Sequence, residues 1–365
     1  MNEFIFFVFI LFIGVFVKKE KGFIVITTYF NYSGNKIILD NFKLFRKKIV
    51  SQGATLCVVE LSLKNSEFEL QKKDADYLIQ VRSGSVMWQK ERLLNIALKQ
   101  LPQKYSKIAV IDADILFLDD SWLEKTIKAL DKYNAVQLFR WAVNMPRGKK
   151  SLSALELSSI DFALDDNSKY FGVAYNIISN KNLNLPKASF AEIGRTGMAW
   201  AFKRSIIENT GFFDKSISGS GDLFLALGMY TERTDLFQFR NICKGILFEY
   251  KKWVHNYKKN IGGKVFYLDN TIVHLWHGQR VNRNYFSRQV ILSLFVFLPS
   301  RDLIINSYGC FEFRHRFFLN LWMKNYFFIR NQNNFLGFFL SFFLHYFAYF
   351  LLVSKLYLKR LIKNK

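Results

Sequence analysis

Two aspartates one residue apart, Asp112 and Asp114, follow directly on the apolar run Ile108–Ile111 in the segment IAVIDADILFLDD. Such a run reads as a buried parallel strand, and in open α/β sheets ligands bind outside the carboxyl ends of the strands. Paired carboxylates at that place suit a hard divalent cation that also takes phosphate oxygens. A solvated acidic turn is the bland alternative, and D-x-D alone favours it. Further along, Asp222 stands in the turn Gly219-Ser220-Gly221-Asp222 at the start of a predicted helix. A single carboxylate there can take a proton as a general base, or can cap the helix. Lys90 and Arg92 open another predicted helix, where they can meet a diphosphate or stand as solvated charges. Trp200 lines a pocket or fills core. Asp214 reads as a turn former.

The elements that must position these groups alternate. Phe23–Thr27 reads as a first strand, Lys36–Ser51 as a helix, Leu56–Leu61 as a second strand and Tyr77–Val81 as a third. A helix spans Trp88–Leu101, stopped by Pro102. The strand ending at Asp112 comes next, then a helix at Trp122–Lys132 and a strand at Ala135–Leu138. Strands alternating with helices imply a doubly wound parallel sheet. Regularity weakens from Met145 to Asn184. It returns in a strand at Gly197–Phe202, a short helix at Arg204–Asn209 and a helix from Gly221 to about Tyr230.

Composition narrows the class. The 365 residues can bury a large core, and 52 Lys+Arg against 29 Asp+Glu give a net charge of +23, which calls for an anionic partner. Three widely spaced cysteines form neither a disulfide framework nor a zinc pattern. Phe4–Val17 is apolar but short for a membrane span, and its flanking charges are wrong for a secretory signal. Phe335–Val353 is uncharged and is followed by Lys355, Lys359, Arg360, Lys363 and Lys365, which suits a span or an interfacial helix with its basic tail against anionic lipid. The chain divides accordingly into a hydrophobic segment at 1–21, a domain at 22–330 and a membrane-associated tail at 331–365.

Five pieces in order resemble the GT-A class of nucleotide-sugar-dependent glycosyltransferases. They are the strand-DAD of Asp112 and Asp114, the G-x-x-W-A-x-x-R of Gly197–Arg204, the GFFD of Gly211–Asp214, the GSGD of Gly219–Asp222 and the HLWHG of His274–Gly278. The segment Val86–Pro102 looks like that of a poorly characterised bacterial branch related to the family 2-like and galactosyltransferase-type enzymes. The chain departs from the commoner pattern where Gly221-Asp222 stands in place of Gly-Glu-Asp.

The resemblance implies a Rossmann-like, mostly parallel central sheet with flanking helices, here with a C-terminal membrane-associated helix added. It implies sugar transfer, inverting in type, from a nucleotide sugar, with a UDP-sugar as the expected donor and a glycan or glycolipid as acceptor. Mn2+ or Mg2+ is held by Asp114, with Asp112 on the metal or the ribose. His277 is the first choice to complete the metal site and His274 the second. Asp222 becomes the base. Thr27, Thr28, Tyr29 and Glu60 fall where nucleobase and ribose sit in the class. The expected location is the cytoplasmic face of a membrane. A basic nucleic-acid-binding or nucleotidyl-transferring protein using the Asp112/Asp114 site is the alternative. It lacks a zinc finger, an aromatic RNA-binding signature and a basic low-complexity arm, so no nucleic-acid partner is expected.

Overall fold

A computed structural model describes residues 19–145, 169–180, 190–278 and 287–330, together with the single positions 183, 185, 283, 350 and 354. In chain order the elements are β1 (Phe23–Tyr29), α1 (Lys36–Ser51), β2 (Leu56–Leu63), β3 (Tyr77–Ser83), α2 (Lys90–Gln100), β4 (Lys107–Ile111), β5 (Ile115–Phe117), α3 (Trp122–Lys132), β6 (Ala135–Gln137) and β7 (Trp141–Asn144). There follow β8 (Lys169–Phe171), α4 (Val173–Ser179), α5 (Phe190–Ile193), β9 (Ala199–Lys203), α6 (Arg204–Glu208), α7 (Gly221–Gly228), α8 (Lys244–Ile261), β10 (Val265–Tyr267) and β11 (Thr271–His274). The described chain closes with α9 (Ser287–Leu294), α10 (Pro299–Asp302), β12 (Leu303–Ile305), β13 (Phe311–Phe313) and α11 (Phe317–Arg330). The terminal segments Phe4–Val17 and Phe335–Val353, and most of the irregular stretch after Met145, lie outside the described residues.

Seven strands form the central sheet in the order β10-β6-β9-β4-β1-β2-β3. All its pairs are parallel except those of β9, which runs antiparallel to both β4 and β6. The sheet is mostly parallel, as expected, and β9 is its antiparallel member. Its segment Ala-Trp-Ala-Phe is buried on both faces, and a doubly buried strand reads the same in either direction. A smaller sheet, β5-β11-β7-β8, stands beside the first, and β12 and β13 form a hairpin.

Side chains leave a strand alternately to either face, so each strand serves two cores. Ile24, Ile26, Val59, Ile108, Val110, Trp200 and Phe202 pack with α2, α7 and α8. Phe23, Val25, Val58, Ala109, Ile111 and Ala201 pack with Phe42 and Phe45 of α1 and Trp122 and Leu130 of α3. Helix α1 starts where Asn35 accepts a hydrogen bond from the Ile37 amide, and α8 ends at Gly262 in the left-handed conformation, φ 59°. The result is an α/β/α sandwich whose strand ends carry the polar groups. Among the described residues no helix is long and apolar enough to cross a membrane.

Candidate functional site

The two sheets are joined by three residues, Asp112-Ala113-Asp114, between the end of β4 and the start of β5. Register then decides what faces them. Strand β11 pairs antiparallel with β5 so that His274 stands opposite Ile115, and the Leu275 amide bonds the Asp114 carbonyl at 2.9 Å. The Asp114 carboxylate therefore meets both imidazoles of the HLWHG stretch: Oδ2 lies 3.7 Å from His274 Nε2 and 3.4 Å from His277 Nε2. One ligand atom from each of the three lies within 4.8 Å of the others.

The outer partners suit this set to a cation. Strand β11 also pairs with β7, which puts Asn144 opposite His274, and Asn144 Oδ1 lies 3.1 Å from His274 Nδ1. An amide oxygen only accepts, so the proton sits on Nδ1 and the Nε2 lone pair is turned to Asp114. Burial, with Arg283 adding to it and Asp112 opposing, lowers the His274 pKa to about 3, so the ring is neutral as a ligand must be. Arg283 donates from Nη2 to His277 Nε2 at 3.0 Å and so occupies the lone pair that a cation would take in its place. Two imidazoles and a carboxylate form a donor set suited to a first-row divalent ion.

Asp112 is not in this group. Its carboxylate is ion-paired with Lys90, and its backbone amide bonds the carbonyl of Met198 at 2.8 Å. Burial raises the Asp112 pKa against the pull of Lys90. Burial alone would weaken the Lys90 charge, but Asp112, Glu91 and Asp222 together lift it above the ordinary lysine range. Histidine 274, the second choice from sequence, belongs to the group beside His277.

These residues line a cleft of about 240 Å³ whose walls also include Thr28, Tyr29, Trp88, Glu91, Asp222 and Arg288. Asp222 arrives by way of glycines. A Cβ on Gly197, just before β9, would lie 2.4 Å from Asp222 Oδ2, and one on Gly221 would lie 2.1 Å from the Glu91 carboxyl carbon. Both glycines thus permit a carboxyl to approach bare backbone. Asp222 is not the helix cap. Ser220 holds that position, at φ 77° and with no capping bond from its side chain, while Asp222 sits in the first turn of α7 and accepts from Thr196 Oγ1 at 3.3 Å. Arg288 fastens the turn, donating to Ser220 Oγ at 3.2 Å and to the Tyr326 hydroxyl at 3.3 Å.

The remaining expectations divide. Lys90 reaches the cleft, but Arg92 does not: its guanidinium bonds the Gly309 carbonyl at 2.5 Å and Asp214 at 3.2 Å, tying α2 to the C-terminal hairpin. Asp214 is accordingly an ion-pair partner rather than a bare turn residue. Thr27 is buried in β1 and lines neither this cleft nor its neighbour. Tyr29 lies between the cleft and a second recess of about 200 Å³ that Glu60 also lines. Glu60 is buried, and its carboxylate accepts from the amides of Glu69 (2.6 Å) and Leu70 (3.2 Å) and from Gln80 Nε2 (2.8 Å), which pins the loop that closes that recess. Trp200 is core, its indole donating to the Thr196 carbonyl beneath the cleft.

Sequence reasoning missed Glu91, Asn144 and Arg288. Burial, aided by Asp222 and Asp112 and opposed by Lys90, raises the Glu91 pKa to about 7. Its signal was there: Glu91, Leu94 and Leu98 share one helical stripe, and an acid in an apolar stripe is out of place. An acidic residue in a first helical turn is so ordinary that the stripe went unread. Asn144 and Arg288 carried no such signal.

In a mostly parallel α/β sandwich, a carboxylate–imidazole cluster beyond a strand's carboxyl end lies where such sheets bind ligands. No protein-family model matches the chain, and no curated protein does. Among solved structures the chain is similar to glucosyl-3-phosphoglycerate synthase from Mycobacterium tuberculosis, solved with Mn2+, UDP and phosphoglyceric acid, at 12% identity, 80% of this chain, 87% of that one and a TM-score of 0.37. It is similar to S. aureus TarS at 10% identity, covering 75% of this chain and 64% of the other, TM-score 0.36. The catalytic domain of a Drosophila β1,4-galactosyltransferase 7 aligns at 11% identity over 56% of this chain, TM-score 0.31, and the chain spans 59% of its length.

Proposed function

We propose that the protein transfers a sugar from a nucleotide-sugar donor to a glycan or glycolipid acceptor, with inversion, at a site built on Asp114, His274, His277 and Asp222. The observation that carries the reading is the meeting of Asp114 with two imidazoles in a cleft that also holds a separate carboxylate, Asp222. Asp114, His274 and His277 would hold a divalent cation, and the two nitrogen donors favour Mn2+ over Mg2+. Such a cation, when bound, neutralises charge on a departing diphosphate. The chain's own residues do the rest. Lys90, half-buried beside Asp112, keeps a positive charge at the cleft and holds the Asp112 carboxylate in place. Asp222 takes the proton of the acceptor hydroxyl, and Thr196 and Gly197 fix where its carboxylate stands. Tyr29 and Glu60 border the recess that suits a nucleoside, and a UDP-sugar remains the donor proposed.

The test is to incubate the purified chain with a panel of nucleotide sugars, and with nucleoside triphosphates as a contrast, in Mn2+ and in EDTA. Metal-dependent sugar release or transfer is expected, and Asp114→Asn should lower it at least a hundredfold with the melting temperature held. Turnover undiminished in EDTA, or turnover of triphosphates alone, would overturn the reading.

A further inference from the structure

Helix α11 is apolar on both sides. Leu319, Met323, Tyr326 and Phe327 point into the core, and Phe327 packs edge-on against Tyr32 at the cleft. On the other side Phe317, Leu321 and Phe328 follow one another at helical spacing with Lys324 among them, Phe317 and its neighbour Phe318 being 72% and 70% exposed. A helix apolar all round is ordinarily covered all round, and contiguous exposed aromatics mark an interaction surface.

Charge names the occupant. From Phe313 to Lys365 the chain holds nine Lys and Arg residues and no Asp or Glu. At the start of α11, Arg316, next to exposed Phe317, shares the buried carboxylate of Asp302 with Arg301, each at 2.6 Å, so two guanidinium groups are set against one acid there. The chain's own residues 331–365 carry the same sign and cannot neutralise this rim, and neither can the same face of a second copy. A surface that is apolar below and anionic above can. Phenylalanine and leucine sink to the acyl boundary while lysine and arginine meet headgroup phosphate.

We infer that the outward face of α11 is a membrane seat: the helix lies in the interface of an anionic bilayer, with its inner face forming part of the cleft wall. This assigns attachment to the described domain, not only to the segment Phe335–Val353, and it stands apart from the sugar-transfer reading because its test requires no turnover.

The experiment uses the full chain with Leu321→Cys carrying an environment-sensitive fluorophore. The three natural cysteines are buried, so the label goes to the new thiol. Vesicles of phosphatidylcholine, alone or mixed with phosphatidylglycerol, are added, with Lys128→Cys on the opposite side of the sheet as the control. The expected result is a blue shift and several-fold protection from acrylamide at position 321 with the anionic vesicles only, and no change at position 128. Double substitution of Phe317→Ser and Phe318→Ser should lower vesicle affinity at least tenfold without moving the melting temperature. A label already shielded before vesicles are added places the chain's own tail or a second copy on the face, and overturns the proposal. So does a label that stays open to quencher on vesicle-bound protein, or an affinity that the double substitution leaves unchanged.

Discussion

At the scale of single residues, the metal cluster depends on a group that stands behind its ligands. Asn144 orients His274 through Nδ1, and outer partners of this kind are worth about 10- to 100-fold in metal affinity. Asn144→Ala is therefore expected to weaken Mn2+ binding by about that factor in a calorimetric titration, with the fold retained. Glu91 gives a prediction in pH. Its pKa is raised from 4.5 to about 7, chiefly by burial, so the folded state holds a proton that the unfolded state releases earlier. The stability this contributes is full below about pH 4.5 and is lost as pH rises through about 7. Glu91→Gln cannot titrate. Urea unfolding should show the variant gaining on the natural protein by roughly 3 kcal/mol between pH 4.5 and pH 8, an order-of-magnitude figure. A constant difference across that range would mean that Glu91 is ionised throughout.

At the scale of elements, two glycines convert packing into chemistry. The antiparallel entry of β9 brings Gly197 to the carboxyl end of β4, where the Asp222 carboxylate from α7 lies against it. A methyl group at 197 would fall 2.4 Å from Asp222 Oδ2, far inside contact distance. Gly197→Ala should therefore displace Asp222 and depress transfer at least tenfold, with Mn2+ affinity unchanged because Asp114 lies in the β4–β5 connection and His274 and His277 at and beyond the end of β11. Parallel loss of metal binding would show that the two halves of the site are not separately positioned.

At the scale of the whole molecule, the three cysteines report on cooperativity. Cys57 and Cys310 are buried and their thiols are pushed up to about 12 by burial, and Cys243, also buried, is raised as well. Each sits in the same apolar cluster, contributed by β2, the start of α8 and the hairpin region. None should react with a thiol reagent in the native protein. All three should react together once denaturant crosses the unfolding midpoint, because their exposure needs the shared core to open. Early release of Cys310 alone would mark the C-terminal hairpin and α11 as a separately unfolding unit.

What the sequence by itself determined is the local part. Asn35 before an amphipathic run starts α1, Pro102 ends the region of α2, and apolar runs of five to eight residues make β1, β2 and β4. Those signals are carried by neighbours in the chain, and so was Asp112-Ala113-Asp114 at a strand end. The direction of β9 was not legible, because burial on both faces erases the period that would betray it. Nor was the choice between Asp112 and His274 as partner of Asp114. That choice was made by the register of β5, β11 and β7, which sets Ile115, His274 and Asn144 side by side from positions up to 159 residues apart. Glu91 became a buried acid only when Gly221 came down on it. Which polar groups meet across strands depends on the pairing of distant segments, and no spacing within one segment encodes that pairing.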